Sequence, residues 1–354
     1  MSDEPVAPSP RANPDLIGHE ATEAALRQLV DSGRLPHALL LSGPRGIGKA
    51  TLAFRFARFV LSQGGEGGAL DMFGAPVDGE PGLAVSPESG VFRRVAAGGH
   101  ADLLTVERAF DPRRKRLRNE IVVDDVREIG TFLHLTAAEG GWRVVIVDGA
   151  DAMNRNAGNA LLKILEEPPQ RALLLIVAHS PGRLLPTIRS RCRQMKLAPL
   201  SSTKLRALLA RYCPELDEAS ATSIVELAEG SIGRALELAS SGGVELYRSI
   251  VTMLMRRPGI DPLALHAFAD KLARTDADDS YRAVEELLRQ HIARQAVAAA
   301  RAGHRGEAAR WASLRDDIGN EFSRTDGLNL DRKQTILSAF FAIERATGAT
   351  GHSR

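Results

Sequence analysis

The sequence predicts an α/β protein: a parallel sheet covered by helices on both faces, followed by purely helical segments. Three observations predict it. Four apolar runs of strand length, at 38–41, 103–106, 144–147 and 173–177, alternate with stretches of helical periodicity, the pattern of strands buried on both faces. A glycine-rich loop ending in lysine joins the first run to an amphipathic helix, as in phosphate-binding strand–loop–helix units. After about Pro199 the strand pattern stops and only helical patterns remain.

Taken in order, residues 1–14 are polar and proline-rich and read as a disordered leader. From Asp15 to about Val30 apolar positions recur at helical spacing, ended by Gly33 and Pro36. The run at 38–41 leads directly into Gly43. Beyond the loop, Leu52, Phe56, Phe59 and Val60 share one helix face. Residues 62–90, rich in Gly, Pro, Ser and acids, read as a long loop. After the run at 103–106, Arg113, Arg114, Lys115, Arg116 and Arg118 form a basic tip. A solvated charge run is its simplest reading, and contact with DNA phosphates the sharper one. Asp124 or Asp125 caps a helix carrying Val126, Ile129 and Leu133. After the third run, Ala157, Ala160, Leu161, Ile164 and Leu165 mark a helix that Pro168-Pro169 stops. Breaks near Gly230, Gly242-Gly243, Pro258-Gly259 and 325–327 divide the helical remainder. This places a core domain at 15–199, a small helical domain at 200–242, a larger one at 243–347 and a tail at 348–354. Trp142 and Trp311 read as packing residues.

Bulk composition narrows the function classes. A chain of 354 residues fits two or three domains. Its net charge is +2 and its sequence pI about 8.6, so any nucleic-acid contact comes from a local patch rather than an overall basic coat. Two cysteines, Cys192 and Cys213, exclude a disulfide scaffold and a four-cysteine zinc module within the chain. They suit a reducing cytoplasm. No apolar stretch has membrane-spanning length, and no secretory leader opens the chain.

Chemistry concentrates in two motifs. Gly43-Pro44-Arg45-Gly46-Ile47-Gly48-Lys49 matches the G-x-x-x-x-G-K phosphate loop. Glycines let successive backbone N–H groups turn inward around phosphate oxygens, and the lysine reaches the outer phosphates. The alternative is a glycine turn that happens to contain a lysine; the flanking strand and helix disfavour it. A working loop places Ser or Thr directly after the lysine to hold Mg²⁺, and this chain has Ala50. Thr51 comes one residue late, roughly 100° around the helix. The second motif is the run 144–147 ending in Asp148, which reads as the metal-holding aspartate of a Walker B strand. Its alternative is an aspartate that caps the following helix. The residue after it, where an active ATPase carries a water-orienting glutamate, is Gly149. Asp151 is expected to be carried past the site. Two contacts of one reaction are therefore absent, while the phosphate frame persists.

The chain resembles the clamp-loader branch of the AAA+ family. The resemblance is carried by the phosphate loop, by Asn159-Ala160-Leu161-Leu162-Lys163-Ile164-Leu165-Glu166-Glu167-Pro168-Pro169, and by Thr187-Ile188-Arg189-Ser190-Arg191-Cys192. It covers roughly 15–240. It implies an AAA+ core, a lid at 200–242 and an oligomerising collar at 243–347. It also implies a hetero-pentamer with gamma/tau- and delta-type subunits, acting on a sliding clamp and, through the complex, on primed DNA, in the bacterial cytoplasm by the nucleoid and away from membranes. Within that scheme Arg191 acts in trans on a neighbour's ATP; the bland reading is one surface arginine among several. Arg234, in Gly230-Ser231-Ile232-Gly233-Arg234, resembles a second sensor directed at nucleotide, with a helix-capping or ion-pair role as the alternative. The first-sensor position falls on Ala178 or His179. A degenerate nucleotide site is thus expected from Gly43, Arg45, Gly46, Gly48, Lys49, Thr51, Asp148 and Arg234. No cofactor is required, weak ATP or ADP binding is compatible, and no metal is assigned. Relatives with four zinc-binding cysteines carry them after the loop helix; residues 61–100 contain none. The leading reading is a hydrolysis-deficient loader subunit, and the runner-up is an active motor subunit of the same machine.

Overall fold

The computed structural model describes residues 7–63, 82–111, 116–139, 141–240, 242–255, 259–274 and 277–348. The chain divides into two compact units, Met1–Leu216 with Val225–Leu236 and Asp217–Ile224 with Glu237–Arg354.

In the first unit the chain runs α1 (Glu20–Asp31), β1 (Ala38–Ser42), α2 (Lys49–Ser62), α3 (Gly90–Ala96) and β2 (Leu103–Val106). A short pair, β3 (Phe110–Asp111) and β4 (Arg116–Leu117), precedes α4 (Val123–His134), β5 (Arg143–Asp148) and α5 (Arg155–Glu166). Then come β6 (Ala172–Ala178), α6 (Pro186–Arg191), β7 (Arg193–Lys196) and α7 (Ser202–Tyr212). Helices α8 (Glu218–Ala228) and α9 (Ile232–Ser240) have residues in both units.

Five strands form one sheet in the order β2-β5-β6-β1-β7, parallel at every pairing. Successive strand residues point to opposite faces, and the core divides accordingly. Leu39, Leu41, Ile146, Leu173 and Leu175 join Leu52, Phe56 and Phe59 of α2 on one face. Leu40, Val145, Val147, Leu174 and Ile176 join Val126, Leu161 and Ile188 on the other. Each such fully buried aliphatic side chain contributes about 1.5–3 kcal/mol. Two filled faces explain why these strands are apolar throughout. Trp142 packs against the first face, as expected.

Several expectations change. The first helix begins at Glu20, not Asp15: Gly18 sits at φ +101, and Asp15 donates its backbone N–H to Asn13 Oδ1 at 2.9 Å. Residues 7–14, expected within a disordered leader, are held by arginines of α2. Arg58 donates to the carbonyls of Arg11 at 2.8 Å and Asn13 at 2.7 Å, and Arg55 to that of Pro14. Residues 1–6 lie outside the described residues. So do 64–81 of the expected loop, 112–115 of the basic tip and 349–354 of the tail. Helix α3 follows that loop, started by the Ser89 hydroxyl accepting from Phe92 N–H at 3.1 Å. Asp125 serves α4 from inside its first turn, accepting from Val122 N–H at 2.9 Å. Strand β7 carries no apolar run because its faces are left largely uncovered: Arg193, Gln194 and Lys196 are exposed, and it pairs with β1 alone.

The second unit is helical, with α10 (Gly243–Met255), α11 (Pro262–Leu272), α12 (Asp278–Arg301), α13 (Arg305–Leu328) and α14 (Arg332–Gly348). Asp261 caps α11 through Leu263 N–H at 3.0 Å. Helices α12 and α13 form a hairpin through Gly303 at φ +83. Tyr281 and Phe322 pack across it with centroids 5.1 Å apart, and Trp311 is buried in this unit. Among the described residues no helix is long and apolar enough to cross a membrane.

Candidate nucleotide site and surface arginine

Strand β1 ends at Ser42 and the phosphate loop begins at once. Gly43, Gly46 and Gly48 have φ of +153, +74 and +99, so the last two sit squarely in left-handed backbone that glycine alone adopts freely. The loop is also tightly enclosed. A Cβ on Gly43 would lie 2.5 Å from the Leu197 carbonyl oxygen, and one on Gly46 2.3 Å from Ser231 Oγ. Helix α2 starts directly behind, so its free N–H groups face the loop. Lys49 is 3% exposed, and its Nζ donates to the Pro44 carbonyl at 2.5 Å. His19, not anticipated from sequence, closes the back of the loop with its ring Nε2 2.6 Å from the Ile47 carbonyl. A carbonyl only accepts, so Nε2 carries the proton.

The parallel register brings the second motif to the same sheet edge. Ser42 lies opposite Ala178, and Asp148 opposite Val177. Ligands of open α/β sheets bind at this carboxyl edge. Burial pulls the Lys49 ammonium down to about 8, against the opposing pull of Asp148 and Asp151. Burial, aided by Glu107, pushes the Asp148 carboxyl up, with Lys49 acting in the other direction. Lys49 and Asp148 are therefore electrostatic neighbours. Asp151 is not carried past the site: its carboxylate accepts the backbone N–H groups of His179 at 2.9 Å and Ser180 at 3.1 Å. It thereby fastens the turn after β5 to the end of β6. Burial and then Lys49 push the His179 imidazole down to about 4, so it is neutral near pH 7. Ala178, the other candidate for the first sensor, is fully buried in the core.

These residues fit polyphosphate better than they fit its magnesium ion. Glycine backbone and a buried lysine suit phosphate oxygens. Ala50 has no oxygen to offer a metal, and Thr51 lies one position further around α2. Gly149 has φ +72 and ψ +42, and a Cβ there would meet nothing within 4 Å. A Cβ would have room, but the backbone holds a left-handed geometry that costs an L-residue roughly 1 kcal/mol or more. Among the described residues no group of three His, Cys, Asp or Glu could hold a metal ion.

Arg234 is brought to the loop. Gly233 N–H donates to the Gly46 carbonyl at 2.9 Å, the two glycines leaving no room for a Cβ between them. The next residue, Arg234, donates its own N–H to Ser231 Oγ at 3.2 Å. Arg45 is exposed at the loop's outer edge. Arg191 is engaged elsewhere, at the C-terminus of α6. Its guanidinium lies 2.8 Å from Glu166 Oε1 and 3.2 Å from the Thr187 carbonyl, and the residue is exposed. Cys192 beside it is a core residue whose thiol burial pushes up to about 11. The bonds of Asp151 and His19 carry no sequence signal, since each is made to a backbone partner that only the fold supplies; the Ser231 bond is a local one, three residues along the chain.

A sequence profile of the family described as DNA polymerase III, delta subunit, matches residues 18–201. The delta' subunit of DNA polymerase III from Pseudomonas aeruginosa is 34% identical over 247 residues, covering 68% of this chain and 69% of that protein. The gamma/tau subunit from Mycobacterium tuberculosis is 29% identical over 286 residues, covering 79% of this chain and 46% of that protein. A solved gamma subunit-related protein from Thermotoga maritima covers 91% of this chain and 99% of its own, at 18% identity and TM-score 0.38.

Proposed function

The chain belongs to the DNA polymerase III delta-subunit family, in the clamp-loader branch of AAA+ proteins, and from that premise we propose that it is a subunit whose own pocket does not hydrolyse ATP. Its partners in this reading are gamma/tau- and delta-type subunits in a hetero-pentamer, which loads a sliding clamp on primed DNA in the bacterial cytoplasm. One observation carries the reading. The phosphate loop and Lys49 are intact, while Ala50 offers no metal ligand and Gly149 stands in a left-handed turn where the water-orienting acid belongs. The chain's contribution to hydrolysis is then Arg191, presented from the end of α6 to nucleotide held by the next subunit. A guanidinium supplied in trans stabilises charge on the transferred phosphoryl group. Nucleotide held weakly by Lys49, Arg45 and Arg234 is compatible with this role.

Similarity to gamma/tau over 79% of the chain favours a second reading, an active motor. Turnover separates the two. The purified chain is expected to show no magnesium-dependent ATP hydrolysis above background, and robust turnover would establish the motor instead. In the reconstituted complex, Arg191→Ala is expected to lower hydrolysis at the site it serves by about 10³-fold or more without unfolding the chain. Unchanged hydrolysis would remove the trans role.

A further inference from the structure

Arg191 is exposed but not without contacts in its own chain. Its guanidinium is held between the Glu166 carboxylate at 2.8 Å and the Thr187 carbonyl at 3.2 Å. Both holding groups belong to helices of the first unit. Helix α5 ends at Glu166, just before Pro168-Pro169. Helix α6 is seated on α5 at Gly158, where a Cβ would lie only 3.2 Å from Leu185 Cδ1. Ile188 is fully buried beneath Arg191's own helix.

We infer that Glu166 is a cis counter-ion that competes with the neighbouring subunit's phosphate for Arg191. The inference rests on the trans role proposed above. A guanidinium has five N–H donors, and two of them face groups of this chain. The rest suffice to meet an incoming phosphate, but the phosphate and the Glu166 carboxylate are both anionic and repel each other across the same cation. Seating Arg191 on nucleotide therefore means loosening Glu166. The strength of the pair decides what this does. With side-chain exposures of 36% and 50%, the contact is screened and its equilibrium weight is a factor of about 1.5 to 5. That is too little to keep Arg191 from a phosphate worth several powers of ten at the transition state. It is enough to set the resting orientation and to tax nucleotide-bound assembly. Because the competition applies in ground state and transition state alike, it belongs in KM and not in kcat.

The test is steady-state ATP hydrolysis by the reconstituted complex carrying Glu166→Gln, which keeps the shape of the side chain and removes its charge. The expected result is a KM for ATP lowered about 1.5- to 5-fold with kcat unchanged. The same substitution on an Arg191→Ala background is expected to leave KM where that background puts it, since the effect passes through the arginine. A fall in kcat with unchanged KM overturns the competition and makes Glu166 a positioning residue for the finger. An unchanged KM and kcat, with Arg191→Ala still impaired, overturns the inference alone. If Arg191→Ala is itself silent, the underlying trans role fails instead.

Discussion

His179 shows at the scale of a single residue how burial beside Lys49 sets a protonation state. Its imidazole titrates near 4, because burial and Lys49 disfavour the cation, against an ordinary value near 6.5. The folded pKa lies below the unfolded one, so the unfolded chain binds the extra proton first as pH falls. Stability from this group is therefore fully present above the unfolded value and drains between about pH 6.5 and 4. His100 and His291 are shifted in the same direction by burial and add to the slope. His179→Gln is expected to flatten the acid limb of a stability–pH profile by on the order of 2 kcal/mol at pH 4. Urea melts at pH 7 and pH 4.5 measure it, and parallel slopes for the two proteins would show that His179 already protonates in the native state. Ala50 supports a second expectation. Restoring a hydroxyl with Ala50→Thr leaves the purified chain without turnover, because Gly149 supplies no acid and its φ of +72 resists one. Hydrolysis appearing in the single variant, by phosphate release, would locate the defect at position 50 alone.

At the scale of elements, α2 joins the site to the start of the chain. Its first residue is Lys49, and further along it Arg58, 1% exposed, spends its donors on two backbone carbonyls while stacking 4.5 Å over Phe92. Removing it leaves two carbonyls without those partners and a cavity. Arg58→Ala is expected to cost about 2–4 kcal/mol and to raise hydrogen exchange across 11–14 selectively. Uniform exchange with unchanged stability would show that these bonds hold nothing. The seat of α6 on α5 is a second expectation at this scale. Gly158→Leu presses on Leu185 and Ile188 and so on helix α6, whose far end carries Arg191, so complex hydrolysis is expected to fall while the purified chain stays folded by circular dichroism. The sheet was readable in the sequence because burial on both faces writes a strand as an uninterrupted apolar run. Strand β7 was not, since Arg193, Gln194 and Lys196 are exposed on faces that no helix covers enough to demand apolar side chains. Helix α3 hides for a related reason: seven residues with two buried side chains are too few for a period to emerge. The phosphate loop and Asp148 were legible from residue type and spacing. The Asp151 bonds, the His19 bond and the meeting of Gly46 with Gly233 were not, because each joins segments that only the tertiary fold brings together.

On the scale of the whole molecule, the proposed role divides between what the chain keeps and what it offers a neighbour. Its first unit retains a phosphate-shaped loop, and the helices from α10 to α14 form the region that we assign to subunit contact as a collar. A chain ending at residue 242 is expected to keep its sheet and lose its partners. Co-purification with tagged gamma/tau-type subunits reads this out, alongside circular dichroism to verify that the shortened chain is folded; retention of the partners would place assembly in the first unit. The most direct test of the whole account is a structure of the assembled complex with a non-hydrolysable magnesium–nucleotide. The account predicts the Arg191 guanidinium about 3 Å from a terminal phosphate oxygen of the adjoining subunit's nucleotide, with Glu166 drawn away. A fully coordinated magnesium–nucleotide inside this chain's own loop, with Arg191 facing no subunit boundary, would contradict it.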